Sequence, residues 1–122
     1  MLAIVIDDSK AMRLILTRIM QGLSFDVLEA ADGREAIERM EQGPLPDVAL
    51  VDWNMPVMDG LEFVHAVRRH EGWRSVALMM VTTEGEKAQL VRALAAGANE
   101  YVVKPFTPDA IAEKLMLLGV GD

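Results

Sequence analysis

Residues 3–10 read AIVIDDSK. Four apolar residues that suit a buried strand run directly into two adjacent carboxylates, Asp7 and Asp8. Like charges beside a low-dielectric core repel, and an unpaired buried carboxylate is strongly disfavoured. A strand that ends this way needs positive charge at its carboxyl end. Where that charge comes from depends on how the other apolar runs are arranged.

Three of those runs resemble the first strand closely. Residues 2–6, 48–51, 77–81 and 101–103 are short, rich in β-branched or large apolar side chains, and nearly free of polar interruption. Such runs suit strands buried on both faces, as in a parallel sheet. Residues 25–30 are weaker, interrupted by Asp26 and Glu29, and suit a strand nearer the edge. Between the strands the period changes. Met12, Ile15, Leu16, Ile19 and Leu23 recur at three- and four-residue steps, one stripe of an amphipathic helix that Asp8 or Ser9 can cap. Ala36, Ile37 and Met40 follow the DG at 32–33, and Leu61, Val64 and Val67 follow the DG at 59–60. Leu90, Val91 and Leu94 form a fourth stripe stopped by Gly97, and Ile111, Leu115 and Leu118 a fifth with Pro108 in its first turn. Five strands alternating with five helices, joined by right-handed crossovers, predict a doubly wound (βα)5 three-layer α/β sandwich on a parallel five-stranded sheet.

At 122 residues the chain is expected to be one domain, 1–122, with no repeat or linker. The formal net charge is −7, from 19 acidic and 12 basic residues, which disfavours a general phosphate-backbone binder and hence nucleic acid. No apolar stretch approaches the ~20 residues of a membrane-spanning helix. There is no cysteine, so no disulfide or thiolate chemistry, and a cytoplasmic protein is expected.

In open α/β sheets ligands sit beyond the carboxyl ends of the strands. The residues found there are Asp7 and Asp8 after the first strand, Asp52 after the third, Thr82 and Thr83 after the fourth, and Lys104 after the fifth. Taken singly, each has an ordinary structural reading: Asp8 or Thr82 as a helix cap, Asp52 as a turn residue, Lys104 as a surface lysine. Taken together, three carboxylates, a hydroxyl and an ammonium converging on one edge are built for an anionic group beside a hard divalent cation, for which Mg2+ is suited. One carboxylate then serves as nucleophile or anchor, and attack on phosphorus yields an aspartyl phosphate.

VIDDSKAMR (5–13), VDWNMPVMDGLEFV (51–64), VTTEGEK (81–87) and AAGANEYVVKPFT (95–107) resemble the response-regulator receiver domain, in particular its single-domain chemotaxis members. The resemblance runs through essentially the whole chain and implies the flavodoxin-like strand order 2-1-3-4-5. It implies Asp52 as phospho-acceptor, with Mg2+ (or Mn2+ in its place) held by Asp8, Asp52 and the backbone carbonyl of Asn54, and by Asp7 through a water. Thr82, Lys104 and the backbone N–H of Thr83 would hold phosphoryl oxygens. Thr82 and Tyr101 would form the switch, and Asn54 and Glu84 would tune hydrolysis. The peptide between Lys104 and Pro105 would be cis. The implied donor is a phosphohistidine on a sensor histidine kinase. The implied output is a protein partner, such as the flagellar motor switch, bound by the face of helix four, strand five and helix five. Three positions depart from the pattern: Thr83 is bulkier than the usual small residue, Ser9 is smaller than the usual one, and Glu86 with Lys87 replaces a basic pair.

The expected molecule is a monomeric signalling switch without an output domain, catalysing only its own phosphorylation and dephosphorylation. A phosphorelay shuttle or phosphate sink serving a histidine phosphotransfer protein is the alternative. An aspartate-nucleophile phosphatase generally carries a second Asp where this chain has Asn54. A flavodoxin-type carrier would need a Ser/Thr/Gly-rich loop where Asp7 and Asp8 stand.

Overall fold

A computed structural model of the chain describes residues 1–121, except for the side chain of Glu84; Asp122 and that side chain lie outside the description. Five strands, β1 (Leu2–Ile6), β2 (Asp26–Ala30), β3 (Val48–Asp52), β4 (Ala77–Thr82) and β5 (Glu100–Val103), alternate with five helices. The helices are α1 (Lys10–Gly22), α2 (Gly33–Gln42), α3 (Gly60–Arg69), α4 (Lys87–Ala96) and α5 (Pro108–Leu118). All pairings are parallel and the order is β2-β1-β3-β4-β5, as expected. Asp52 and Thr82, read from the sequence as just beyond their strands, are instead the last residues within them.

Two cores flank the sheet because alternate residues of each strand face opposite sides. Ile4, Ile6, Ala49, Val51, Leu78 and Met80 pack with Ala36 and Met40 of α2, Phe63, Val64 and Val67 of α3, and Ala93 of α4. Ala3, Val5, Val48, Leu50, Met79 and Val81 pack with Leu16 and Met20 of α1 and Ile111 and Leu115 of α5. Every residue of β3 is buried, which is why its run shows no polar alternation. The interrupted β2 is an edge strand.

Two helical stripes differ from the periodic reading. In α1 the buried residues are Leu16, Thr17 and Met20, and Ile15 is 47% exposed. With about 100° between successive residues, a helix that aims Leu16 and Met20 at the sheet turns Ile15 toward solvent. In α4 only Ala93 is fully buried; Leu90 packs partly buried against the first core, while Val91 and Leu94 turn outward.

Local chemistry sets the loops at the carboxyl edge. Ser9, rather than Asp8, caps α1, its Oγ accepting the Met12 N–H at 3.2 Å. Asp59 and Glu62 form a reciprocal capping box at the start of α3. Gly60 allows that helix to meet the end of β3: a Cβ there would lie 2.6 Å from the Asp52 carbonyl oxygen. The loop between them carries Val57 at φ 69°, a left-handed conformation that a β-branched residue rarely adopts.

Candidate acidic site

The parallel sheet delivers the ends of β1, β3, β4 and β5 to one edge. Carboxylate oxygens of Asp7, Asp8 and Asp52 lie within 4.8 Å of one another. Asp7 and Asp52 are buried and Asp8 is exposed, so the cluster forms a floor with one open side. The Lys104 ammonium reaches in from beyond β5, with Nζ 3.1 Å from Asp52 Oδ1 and 4.0 Å from Asp7 Oδ2. Its backbone is tied to the neighbouring strand end, the Lys104 N–H donating to the Thr82 carbonyl at 2.7 Å. The peptide between Lys104 and Pro105 is cis, in line with the resemblance.

Asp7 is held from several directions. Its backbone N–H donates to the Ala30 carbonyl at 3.1 Å, and its Oδ1 accepts the Ser9 N–H at 2.9 Å. Arg13 Nη1 donates to the Asp7 carbonyl at 2.6 Å, while the same guanidinium pairs with Glu29 at 3.4 Å. Asp7 Oδ2 is buried and accepts no hydrogen bond. Burial pushes the Asp7 carboxyl up from the ordinary carboxylate range, against the Ser9 N–H and the Lys104 charge. Burial also raises Asp52, and the charge of Asp7 adds to it, against the hydrogen bond and charge of Lys104. One ammonium therefore faces three carboxylates, and the site lacks positive charge.

An orphaned buried carboxylate oxygen inside a cluster of three hard oxygen donors is the donor chemistry that suits Mg2+. The residues present fit the ion.

Thr82 is buried, and its Oγ1 donates to the Thr83 carbonyl at 3.3 Å or Glu86 Oε1 at 3.4 Å. Asn54, in the loop after β3, is exposed, and its Nδ2 donates to Glu86 Oε2 at 3.1 Å. Tyr101 is half-buried, with Lys114 Nζ 4.5 Å from its ring centroid. With Thr82, Thr83, Lys87, Leu90 and Val91 it lines a pocket between α4 and β5. Tyr101 is thus close to the acidic floor through Thr82 and Thr83 but is not part of it.

A profile of the "Response regulator receiver domain" matches residues 3–116. The chain belongs to this receiver family. Among its relatives, Chemotaxis protein CheY1 of Helicobacter pylori is 45% identical over 121 residues, covering 98% of each chain. A chemotaxis protein CheY homolog of Campylobacter jejuni is 46% identical over 120 residues, 97% of this chain and 92% of that one. The solved structure of Vibrio cholerae CheY4 superposes with a TM-score of 0.87 at 35% identity, covering 96% and 97% of the two chains. Receiver domains of this type are signalling switches rather than turnover enzymes, and imply a histidine kinase donor and a downstream target. Among the described residues no helix is long and apolar enough to cross a membrane.

Two residues at the receiver site escaped the sequence reading as participants. Arg13 braces the Asp7 backbone, and nothing in its spacing signals that. Glu86 touches Thr82, Thr83 and Asn54, and the T-x-x-E spacing from Thr83 to Glu86 is the capping-box signature that points to it.

Proposed function

We propose that this receiver accepts a phosphoryl group on Asp52 from the phosphohistidine of a sensor kinase in a Mg2+-dependent reaction, and so switches a protein partner in chemotaxis signalling. The observation that carries the reading is the meeting of Asp7, Asp8 and Asp52 within 4.8 Å, with the Lys104 ammonium as their counter-charge. Asp8, Asp52 and the Asn54 carbonyl would hold the ion directly, and Asp7 through a water. Bound there, Mg2+ (or Mn2+) would offset the carboxylate charge and polarise phosphoryl oxygens.

The chain's own groups supply position and charge. An oxygen of Asp52 attacks phosphorus in line as the P–N bond to the donor imidazole breaks, and the electron pair leaves with that nitrogen. Lys104, the Thr82 hydroxyl and the Thr83 N–H receive the equatorial oxygens, where negative charge is spread. Burial of Asp52 keeps bulk water from competing with the donor. Water later hydrolyses the acyl phosphate, at a rate that the residues at positions 54 and 84, Asn54 and Glu84, would tune. Loading draws Thr82 toward the phosphoryl group and Tyr101 inward, which favours a minor conformation of the α4, β5 and α5 face. The exposed Val91 and Leu94 of α4 suit that face to a protein partner such as a flagellar motor component.

Trp53 adjoins Asp52 and reports the test. In a Trp73→Phe background, Mg2+ and then a small phosphodonor are expected to change indole fluorescence, and Asp52→Asn is expected to abolish the donor response. A donor response undiminished in Asp52→Asn would remove the acceptor assignment.

A further inference from the structure

We propose that Glu86 is a built-in competitor for the phosphoryl-binding side of the pocket, a carboxylate that must be displaced before an incoming anion can be held. The inference rests on the reading above of Thr82 and Thr83 as phosphoryl ligands. Glu86 Oε1 accepts the Thr83 N–H at 3.0 Å, the Thr83 hydroxyl at 2.8 Å and the Thr82 hydroxyl at 3.4 Å. Its other oxygen, Oε2, accepts from Asn54 Nδ2 at 3.1 Å.

Helix capping accounts for only part of this set. A capping box requires the Glu86 carboxylate to accept the Thr83 N–H, with the Thr83 Oγ1 accepting the Glu86 N–H in return. It does not require the Thr82 hydroxyl, nor a bond to Asn54 from the loop after β3. Those two contacts turn a cap into a bridge from the β3 side of the pocket to the β4 side. The bridging group is an anion, and it occupies the donors that an anionic ligand would need.

One N–H shared between a carboxylate and a phosphoryl oxygen holds each more weakly than it would hold either alone. Two anions on a single donor set also repel, in a pocket already rich in carboxylates. Loading must therefore break the Glu86 contacts. Glu86 ends the 3₁₀ turn Glu84–Glu86, and α4 begins at Lys87. Displacing its carboxylate frees the start of α4, whose first five residues carry Lys87, Leu90 and Val91 of the pocket shared with Tyr101. The same event that admits the anion thus loosens the element that presents the output face.

A competitor lowers apparent affinity by the fraction of molecules in which it is already displaced. Losing charge-assisted hydrogen bonds of this kind corresponds to about a tenfold change. The experiment titrates beryllofluoride, a stable phosphoryl stand-in, into Mg2+-loaded protein, with Trp53 fluorescence as readout and Trp73→Phe as background. Glu86→Ala is expected to bind about tenfold more tightly than the parent. Glu86→Gln, which keeps an acceptor oxygen without the charge, is expected to fall between, and it carries the test if the alanine variant does not fold. A role in capping alone would lower the melting temperature without tightening binding, and that result overturns the proposal. A parent response that Asp52→Asn abolishes but Glu86→Ala leaves unchanged overturns the competitor and spares the acceptor. No beryllofluoride response in the parent overturns both.

Discussion

Lys104 Nζ lies 3.1 Å from Asp52 Oδ1, joining the ends of β5 and β3 across 52 positions of sequence. The pair only partly balances its surroundings, because Asp7 Oδ2 stands 4.0 Å from the same nitrogen and Asp8 completes the cluster. Its stability therefore depends on charge that the chain itself does not supply.

The Asp7 and Asp52 carboxyls are both raised by burial, so their protonated forms suit the fold best. Their stabilising contribution is complete below the ordinary carboxylate value of 3.8 and is lost as pH rises through the raised folded values. At neutral pH without a divalent ion they oppose folding. Asp7→Asn should then stabilise the metal-free protein by about 1 kcal/mol at pH 7, the low end for relieving a buried unsatisfied group. Urea denaturation in EDTA should show that gain shrinking toward pH 4, and saturating Mg2+ should stabilise the parent more than the variant. A variant less stable than the parent in EDTA at pH 7 would refute the electrostatic account.

Removing the ammonium should act in the opposite sense. Lys104→Ala leaves two buried carboxylates without their nearest cation and is expected to cost about 2 kcal/mol in EDTA, less with Mg2+ present. The phosphoryl group should still load on Asp52, but partner binding should no longer respond to it. Pull-downs with and without beryllofluoride read the second effect, and a preserved difference between them would count against a switching role for Lys104.

Val57 holds φ at 69° and is 76% exposed, so its side chain gains little packing for the strain it bears. Asn tolerates the left-handed region far better than a β-branched residue. Val57→Asn should raise stability by about 1 kcal/mol with the acidic cluster undisturbed. Thermal denaturation decides it, and a lower melting temperature would show that the loop does not keep this conformation in solution.

Gly60 offers the reverse case. An added Cβ would meet the Asp52 carbonyl oxygen at 2.6 Å and the Trp53 Cα at 3.1 Å, both backbone atoms with little room to retreat. Gly60→Ala should destabilise by about 2 kcal/mol, within the usual range for overpacking, and should weaken the donor response by shifting the end of β3. Normal stability together with a normal donor response would mean that α3 and β3 part more easily than this packing implies.

Much of the molecule is legible in its sequence. Residues such as Val48, Leu50 and Met79 lie in continuous apolar runs because both sheet faces are covered, and that pattern alone marks parallel strands. The carboxylates, hydroxyls and lysine that close those runs must converge wherever strands are parallel and adjacent. Ile15 was harder, because a stripe of apolar residues wider than the buried face does not say which edge of it turns to the sheet. In α4 the spacing of Leu90, Val91 and Leu94 marks a helix, as found, but does not say that Leu90 meets the core while Val91 and Leu94 face outward.

The strand and helix periods, and the polar residues at the strand ends, are local properties of the chain, so they determined the doubly wound α/β class and the membership of the acidic cluster, while the strand order followed from the family resemblance. Only tertiary structure decided that Arg13 braces the Asp7 backbone, that Asp7 Oδ2 is left without a donor, and that Glu86 spans from Thr83 to Asn54. Those outcomes depend on which donors and acceptors come within about 3 Å of each other in space, and that distance is set by packing between segments rather than by spacing within one.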